Sequence, residues 1–453
     1  MANKLYEEND ISAIATAIRA KNGSSDTYTV SQMATAINNI PSGGGDVVNG
    51  IIESYKAASS TIDANTFVEF VNLIGTDSDK RLGSGSNSYD RASAVLVDTN
   101  KVFIAHRSSS YLYGVVCTIS GTTITAGTDM QLSTVTYSYE YTSAALVDTN
   151  KVFVVHRNGN YLYGMVCAIS GTTVTAGTDT QLSTGGTSYS DASVVQLDTN
   201  KVFISHRSGS YLYGVVCTVS GTTITVGTDT EVSTGWLAYN NASAGLIGAN
   251  KVMVVHNNST SFYGIVCTIS GTTITVGTDT QLSNASLSYE YGKATLVDTD
   301  KVLVTHRNNS LLYGMVCTIS GTTITVGTDT QLSSELNSSS YTSVVLLSTN
   351  KVFIAHQGND CLYGVVCTVS GTTITAGTDM QLSVVTNSYY NASAVLVDTN
   401  KVFIAHRNGS YLYGMVVELL NETCAIESNF KIDGLTKTAC TTSTAGQVWV
   451  LDN

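Results

Sequence analysis

The seven histidines of the chain recur at a constant spacing of 50 residues. Each ends the string Lys-Val-Φ-Φ-X-His, in which Φ is apolar: His106, His156, His206, His256, His306, His356 and His406. A ring of imidazoles is suited to metal binding or to sensing pH near neutrality. The alternative is a half-buried histidine at a strand end that hydrogen-bonds a neighbouring loop. We favour the structural role over ligand contact, and we predict no metal site.

Arginine follows this histidine in five repeats, and Asn257 and Gln357 replace it in the other two. A tyrosine stands four residues after the arginine in four repeats. Such a pair is suited to stacking on or hydrogen-bonding a sugar, and equally to bracing the loop. The residues predicted to bind a ligand are Arg107, Tyr111, Tyr139, Arg157, Tyr161, Tyr189, Arg207, Tyr211 and Tyr239.

Patterns that support catalysis are sparse. The chain has no nucleophile elbow, no metal-ligand pair at catalytic spacing and no sialidase-type Asp box, Ser-x-Asp-x-Gly-x-Thr-Trp. A carboxylate pair for glycoside hydrolysis is assembled in space, so the sequence leaves it open. The acids in the relevant loops are mainly Glu140, Glu290, Glu335 and Asp360. We therefore predict that the protein is not an enzyme and uses no cofactor, with a lytic or depolymerising enzyme as the third alternative.

Six of the nine cysteines share one repeat position: Cys117, Cys167, Cys217, Cys267, Cys317 and Cys367. A disulfide needs Cα atoms within about 7 Å, and equivalent positions on neighbouring repeats are expected to lie farther apart. We interpret these cysteines as small buried apolar groups in strands. Reduced thiols, together with an N-terminus unlike a signal peptide, predict folding in a cytoplasm.

Composition excludes several classes of function. The 453 residues are 43% hydrophobic and only 12% charged, which is typical of a chain with a large core. The net charge of −12 argues against nucleic acid, whose binding requires cations that neutralise phosphates. No apolar run reaches the roughly 18 residues that span a bilayer, so we predict no membrane insertion.

The 50-residue period itself predicts an all-β fold, a β-propeller, because repeats of this length made of short strands are typical of propeller blades. In the first repeat we predict strand a at residues 93–97, b at 102–106, c at 112–119 and d from 122 toward Leu132. Asp98-Thr99-Asn100 and Ser120-Gly121 form the turns between them. Each blade therefore has four antiparallel strands.

The chain ends decide the number of blades. Residues 48–58 and 67–77 have the pattern of an isolated c–d pair, in which Gly75-Thr76-Asp77 matches the Gly-Thr-Asp at 127–129. Residues 438–442 and 447–451 have the pattern of an isolated a–b hairpin. Combining the two predicts eight blades, with Thr438 to Leu451 paired against Val48 to Ala58 and no exposed sheet edge. The alternative is seven blades with both terminal hairpins outside the ring.

The first 41 residues predict a small helical hairpin. Ile11, Ile14 and Ile18 recur at helical spacing, and Pro41 ends the second helix. We assign residues 1–41 to a helical attachment module, 42–47 to a glycine-rich linker and 48–453 to the propeller. The module is too short for its own core, so we expect it to dock on a partner or on copies of itself. Packing against the propeller is the alternative.

The segments Ile11-Ser-Ala-Ile-Ala-Thr-Ala-Ile-Arg-Ala-Lys-Asn-Gly, Tyr28-Thr-Val-Ser-Gln-Met and Ile37-Asn-Asn-Ile together resemble a module of bacteriophage tail and fibre proteins from phages of Gram-positive hosts. The repeats Val-Asp-Thr-Asn-Lys-Val-Phe-Ile-Ala-His and Cys-Thr-Ile-Ser-Gly-Thr-Thr-Ile-Thr resemble repeats in such proteins. This resemblance implies a virion component of the tail or baseplate, attached to other virion proteins through residues 1–41.

The two rims of the predicted ring differ in sequence. The a–b turn is nearly constant and the c–d turn Ser-Gly-Thr-Thr is identical in six repeats. The b–c and d–a loops of the opposite rim vary and are rich in Tyr, Asn, Ser and Gly, which is typical of adaptable recognition surfaces. We predict that this rim binds a glycan or protein receptor on the host surface. The alternatives are drift in exposed loops, and a structural virion protein that contacts only other virion proteins.

Overall fold

The computed structural model describes residues 61–62, 67–75, 79–83, 90–425, 430–431, 437–443 and 446–452, with internal gaps at 134–139, 184–188, 234–238, 259–260, 284–288, 336–341, 360 and 384–388. The predicted helical module and linker, and residues 48–58, lie outside this range. The described residues form strands and turns, and no helix among them is long and apolar enough to cross a membrane.

The fold is a β-propeller of seven blades, each a five-stranded antiparallel sheet. Strands a, b, c and d1 lie in that order, and a short strand d2 pairs with strand c beyond the end of d1. The prediction of 50-residue blades is confirmed, and the prediction of eight blades is wrong. Strand d is one continuous strand in the sequence-based prediction, whereas the structure divides it into two.

The strand bounds repeat with the sequence period. Strands a are Asp90–Asp98, Glu140–Asp148, Tyr189–Asp198, Tyr239–Gly248, Tyr289–Asp298, Ser343–Ser348 and Tyr389–Asp398. Strands b are Lys101–Ser108, Lys151–Asn158, Lys201–Ser208, Lys251–Asn258, Lys301–Asn308, Lys351–Gly358 and Lys401–Asn408. Strands c are Tyr111–Ser120, Tyr161–Ser170, Tyr211–Ser220, Ser261–Ser270, Leu311–Ser320, Cys361–Ser370 and Tyr411–Ala425.

The outermost strands are shorter in six blades and come from the N-terminal side of the ring in the seventh. Strands d1 are Thr123–Ala126, Thr173–Ala176, Thr223–Val226, Thr273–Val276, Thr323–Thr325, Thr373–Ala376 and, in blade 7, Phe67–Gly75. Strands d2 are Met130–Gln131, Thr180–Gln181, Thr230–Ser233, Thr280–Ser283, Thr330–Gln331, Met380–Gln381 and, in blade 7, Lys80–Arg81.

The turns between strands explain the constancy of one rim. Asn100 adopts a left-handed conformation with φ of 62° in the a–b turn, and the Asp98 carboxylate accepts the Thr99 amide at 2.8 Å. Gly121 has φ of 59° in the c–d turn. Asparagine and glycine tolerate these angles at the lowest steric cost, so their recurrence has a backbone cause. We call this edge the fixed rim, and the edge with the b–c turns and d–a connections the variable rim.

Blade 7 is completed by residues that lie more than 300 positions earlier in the chain. Lys80 pairs with Gly414 and Arg81 with Tyr413, and the Leu82 amide donates to the Leu412 carbonyl at 2.9 Å. The segment predicted as part of an eighth blade is therefore the outer strand of the seventh. The pairing of this N-terminal segment with blade 7 closes the ring and covers the outer edge of strand c.

Hydrophobic residues from adjacent blades form the cores. Between blades 1 and 2, Val95 and Phe103 pack with Val152 and Val154. The corresponding core between blades 7 and 1 includes Leu82, Phe403, Val102 and Ile104. The second to fourth residues of strand b, Val102, Phe103 and Ile104 in blade 1, are fully buried in every blade. Because they alternate between the cores on the two sides of the blade, strand b is apolar on both faces.

The chain divides into two compact units, Glu69–Glu422 and a second unit of Met1–Val68 with Thr423–Asn453. Within the second unit Thr61–Ile62 pairs with Phe430–Lys431, and Lys437–Ser443 pairs with Gly446–Asp452. The predicted C-terminal hairpin is thus present. Its two strands pair with each other as a separate sheet, so its predicted place in an eighth blade is wrong.

Candidate functional site

The recurrent histidine is buried in every blade and forms a hydrogen-bonded pair with an aspartate. In blade 1 the His106 Nε2 atom lies 2.9 Å from Asp129 Oδ1, and the His106 side chain is fully buried. The remaining pairs have Nε2–Oδ1 distances of 2.8 to 3.2 Å: His156–Asp179, His206–Asp229, His256–Asp279, His306–Asp329, His356–Asp379 and His406–Asp79. A paired, buried imidazole holds strands b and d together within a blade.

The interruption of strand d supplies the carboxylate. Gly127 donates its amide to the Val116 carbonyl at 2.8 Å, and the chain then turns so that Asp129 reaches the histidine of its own blade. In blade 7 the partner of His406 is Asp79, two residues after the Gly75-Thr76-Asp77 that matches the repeat. The sequence signal for the pair is the fixed separation of 23 residues between histidine and aspartate in six blades.

A tyrosine of strand c covers each buried histidine. The rings of His106 and Tyr113 stack with centroids 5.8 Å apart. Burial, and secondarily the charge of Asp129, raises the pKa of Tyr113 above its usual value, so the phenol stays protonated. Its hydroxyl donates to Gln131 Oε1 at 3.4 Å. Through these contacts the seven recurrent histidines stabilise the blades from within.

The arginines that follow the histidines brace the b–c turns. Arg107 Nε donates to the Ser109 carbonyl at 2.7 Å, and Arg157 and Arg207 make the same bond at 2.7 Å to Gly159 and Gly209. Both glycines have positive φ. Each arginine therefore holds the tip of its own turn in one geometry and presents the residues between strands b and c on the variable rim.

The predicted tyrosines stand directly after these turns. Tyr111 lies opposite Ser108 across the strand pair, Tyr161 opposite Asn158 and Tyr211 opposite Ser208. Tyr161 is 38% exposed, and the other two are half-buried. Tyr139 lies outside the described residues, as do the side chains of Tyr189 and Tyr239. The role of all nine residues in ligand binding stays a prediction.

The cysteines of the repeat occupy the blade cores as predicted. Cys117, Cys167, Cys217, Cys267, Cys317 and Cys367 are free and buried. Burial raises the pKa of five of these thiols to about 12 and that of Cys317 to about 11. The thiols therefore stay protonated at neutral pH and act as small apolar groups.

A cavity of about 170 Å³ lies where the inner strands of all seven blades begin. In six blades its described lining consists of residues at the third to fifth positions of strand a, and in blade 6 of the residue before strand a and the first residue of that strand. The lining residues are Ala92, Ser93, Thr142, Ser143, Asp191, Ala192, Ser193, Ala242, Ser243, Tyr291, Gly292, Lys293, Thr342, Ser343, Asn391, Ala392 and Ser393. We call it the axial cavity. None of the six predicted ligand-binding residues whose side chains are described, Arg107, Tyr111, Arg157, Tyr161, Arg207 and Tyr211, lines it. Ser93 pairs with Ala105, next to His106, which places the cavity at the variable-rim end of the inner strands.

A ring of serines forms part of the wall and joins the blades. Ser93 Oγ accepts the Ala144 amide of the next blade at 3.0 Å, and Ser393 accepts the Ala94 amide at 2.9 Å across the closure. Ser143, Ser193 and Ser343 accept the equivalent amide at 2.9 to 3.2 Å. Lysine replaces serine at this position in blade 5 alone, where Lys293 Nζ donates to Ser243 Oγ at 3.1 Å.

A β-bulge in strand a changes the direction of a residue that lies two positions before the serine of the wall and also lines the cavity. The register between strands a and b shifts between Ser190 and Ser193, and Asp191 within the bulge has φ of 54°. Tyr291 and Asn391 occupy the same place with φ of 57° and 58°. A tyrosine in the left-handed region is a strained residue, and strain of this kind is concentrated at functional sites. The bulge places an acid, a phenol and an amide at the axial cavity.

Sequence reasoning did not select the axial cavity. Its signal is the 50-residue column Ser93, Ser143, Ser193, Ser243, Ser343 and Ser393, which Lys293 interrupts. The predictions concentrated on residues of the variable loops, whereas the cavity is lined by residues at the start of strand a. The seven residues that face the axis could be identified only from the strand order, in which strand a is the innermost strand of each blade.

No protein-family model matches the chain, and no curated protein matches it by sequence. Several solved structures are similar to the chain. A protein of unknown function from Dyadobacter fermentans is 10% identical, with a TM-score of 0.47 over 77% of this chain and 99% of that one. The intramolecular trans-sialidase from Ruminococcus gnavus is 9% identical, with a TM-score of 0.46 over 76% and 97%. The K499G mutant of NanB sialidase from Streptococcus pneumoniae is 10% identical, with a TM-score of 0.47 over 77% of this chain and 71% of that one.

These structures correct one prediction. The sequence-based exclusion of enzymatic activity does not stand, because sialidases are among the solved structures similar in fold to this chain. At about 10% identity the similarity concerns the fold alone and assigns no reaction.

Proposed function

We propose that the propeller is a recognition module that binds a host-surface glycan through the variable rim. The observation that carries the proposal is the contrast between the two rims. Residues with special backbone angles account for the constant turns of the fixed rim. On the variable rim the arginines hold the b–c turns in one geometry while the residues at their tips differ between blades. A rigid frame with varied polar and aromatic tips is typical of recognition surfaces.

Repetition supports a polymeric ligand. Four blades place a tyrosine at the start of strand c, at equivalent positions around the ring: Tyr111, Tyr161, Tyr211 and Tyr411. Arg81 lies over the ring of Tyr411, 4.0 Å from its centroid, in the blade closed by the N-terminal segment. A repetitive glycan engages several such sites at once, so weak contacts gain by avidity.

The experiment that tests this function combines three substitutions, Tyr111→Ala, Tyr161→Ala and Tyr211→Ala. We expect cell-wall and glycan-array binding to fall by about tenfold or more. The thermal unfolding temperature is expected to change little, because Tyr161 is exposed and Tyr111 and Tyr211 are half-buried rather than part of a core. The matched control replaces exposed threonines of the fixed rim: Thr123, Thr173 and Thr223. Unchanged binding by the tyrosine variant would reject the rim as receptor site and favour the structural virion protein.

We further propose that the module works in a phage tail or baseplate, in the virion, and is made in the host cytoplasm. The support is the resemblance of the segments beginning at Ile11, Tyr28 and Ile37 to a tail-protein module. Residues 1–41 then attach the propeller to other virion proteins or to copies of itself. Removing residues 1–41 is expected to leave a folded, monomeric propeller that no longer enters particles, whereas normal incorporation would contradict the attachment role.

A further inference from the structure

We propose that the axial cavity binds the carboxylate-bearing residue of an acidic sugar, with Lys293 as the group that receives the carboxylate. The inference goes beyond the proposed function because the described lining of the cavity includes none of the tyrosines on which that function is tested, Tyr111, Tyr161 and Tyr211. Only the choice of a sugar as the carrier of the carboxylate rests on the proposed glycan recognition.

The first support is the break in symmetry at Lys293. Six blades place serine at this position of the wall, and blade 5 places a half-buried lysine whose Nζ lies 3.1 Å from Ser243 Oγ. Lys293 is the one cation among the described residues that line the cavity. An ammonium group and a neighbouring hydroxyl make charge-assisted hydrogen bonds to a carboxylate, and a partly enclosed wall strengthens them.

The second support is that the junction of blades 4 and 5 departs from the repeat at several positions together. A side chain at Gly245 would place its Cβ 2.1 Å from the Ala294 carbonyl, and one at Gly292 would place it 2.4 Å from the ring of Phe262. Every other blade has a larger residue at both glycine positions and leucine in place of Phe262. These residues accommodate one another directly beside Lys293, which indicates a junction rebuilt around the lysine.

The third support is a set of buried polar atoms in the same wall. The Thr142 side chain is 8% exposed and that of Thr342 is 2% exposed, and both residues line the cavity. Within the described part of the chain, their hydroxyls and the Asn391 Oδ1 atom have no hydrogen-bond partner. Buried polar groups are nearly always hydrogen-bonded, so a wall of this kind is matched to a polar guest.

The size and the donor set define the ligand class. A cavity of about 170 Å³ has the volume of roughly five or six water molecules, below the roughly 300 to 1,000 Å³ of pockets for drug-sized ligands. It therefore suits one sugar unit rather than an oligosaccharide. The carboxylate of Asp191 and the amide of Asn391 are suited to sugar hydroxyls, and Lys293 distinguishes an acidic sugar from a neutral one.

The test is a titration of the full chain with sodium glucuronate and, in parallel, with glucose, followed by NMR. We expect glucuronate to bind more tightly than glucose, and Lys293→Ser to weaken glucuronate binding by about tenfold or more while glucose is unaffected. Serine is the residue of the other six blades, so this variant is expected to keep the unfolding temperature of the parent. The matched control is Lys251→Ser, which removes the same charge at the start of strand b, on the fixed rim.

The outcomes separate this inference from the proposed function. Equal binding of glucose and glucuronate, no binding of glucuronate, or unchanged binding in Lys293→Ser would each overturn the carboxylate site. The tyrosine variant leaves the cavity wall intact and is expected to bind glucuronate as the parent does. Loss of cell-wall binding in that variant with no effect of Lys293→Ser would uphold the rim and reject the cavity. The reverse pattern would uphold the cavity and reject the rim.

Discussion

At the scale of single residues, the histidines have a structural role because of where their partner lies. Each imidazole is held between the carboxylate of its own blade and the ring of a tyrosine, as His106 is by Asp129 and Tyr113. The contact extends to the neighbouring blade in part of the ring, since Ser233 Oγ donates to Asp279 Oδ2 at 2.9 Å. The half-buried carboxylate of Asp279 thereby links His256 on strand b of its own blade to the preceding blade.

Replacing this carboxylate is expected to destabilise the fold. Asp129 is 5% exposed, and Asp129→Ala leaves the fully buried His106 without its acceptor, which costs about 1–3 kcal/mol. Asp129→Asn keeps an oxygen at the same place and is expected to cost less. The measurement is the free energy of unfolding from urea titration of the two variants. If both variants unfold with the free energy of the parent, the pair does not contribute to stability.

The sequence predicted the residue pattern better than the residue partners. Burial of the cysteines and the turn conformations were predictable, because apolar neighbours and Gly or Asn positions are local signals. The pairing of His406 with Asp79 was not predictable, because the match to the Gly-Thr-Asp of the repeat ends at Asp77, two residues earlier. Likewise, Lys293 has no local feature that marks it until seven strands are placed around one axis.

At the scale of elements, the closing strand is the main difference between expectation and structure. The terminal segments looked complementary because each supplies two strands. Blade 7 already contains strands a, b and c within residues 389–425, and it lacks only an outer strand. The segment from Phe67 to Arg81 supplies that strand, so the C-terminal hairpin is left to pair with itself. The sequence predicted eight blades because the number of strands was known but the open outer edge of blade 7 was not.

This closure predicts that a residue far from blade 7 in sequence contributes as much as a residue within a blade. Leu82 is 4% exposed and Leu132, its counterpart in blade 1, is 7% exposed. We expect Leu82→Ala and Leu132→Ala each to cost about 2–5 kcal/mol, because both leave a cavity in an interblade core. Thermal and urea unfolding of the two variants provide the comparison. A negligible effect of Leu82→Ala beside a large effect of Leu132→Ala would show that the N-terminal segment does not close the ring.

At the scale of the whole molecule, the repeats form a closed ring rather than an open stack. Each interblade core draws on two neighbours, and the core of blades 7 and 1 joins the two ends of the repeat array. The serine ring continues across the same closure through Ser393 and the Ala94 amide. The period alone established a propeller, but it did not establish the number of blades, because the sequence shows no distance between the first and last repeats.

A closed ring responds to the loss of a repeat differently from a linear array. Deleting residues 201–250 joins Asn200 to Lys251 and preserves the local sequence Asn-Lys of the a–b turn. Strand a at Tyr189–Asp198 is then followed by the equivalent strand b of the next blade, Lys251–Asn258, and every other remaining strand keeps its own neighbours in the chain. A linear array would fold with the stability of one repeat removed. In the ring, six blades must span the angle of seven, which separates the interblade cores and the serine ring. We therefore expect this deletion to abolish the cooperative thermal transition and to yield aggregated protein on gel filtration.

Deletion of residues 437–453, which removes the C-terminal hairpin that pairs with itself, is the control and is expected to keep the transition. A soluble six-repeat variant with a cooperative transition near that of the parent would show that adjacent blades, rather than closure, determine the stability of the molecule.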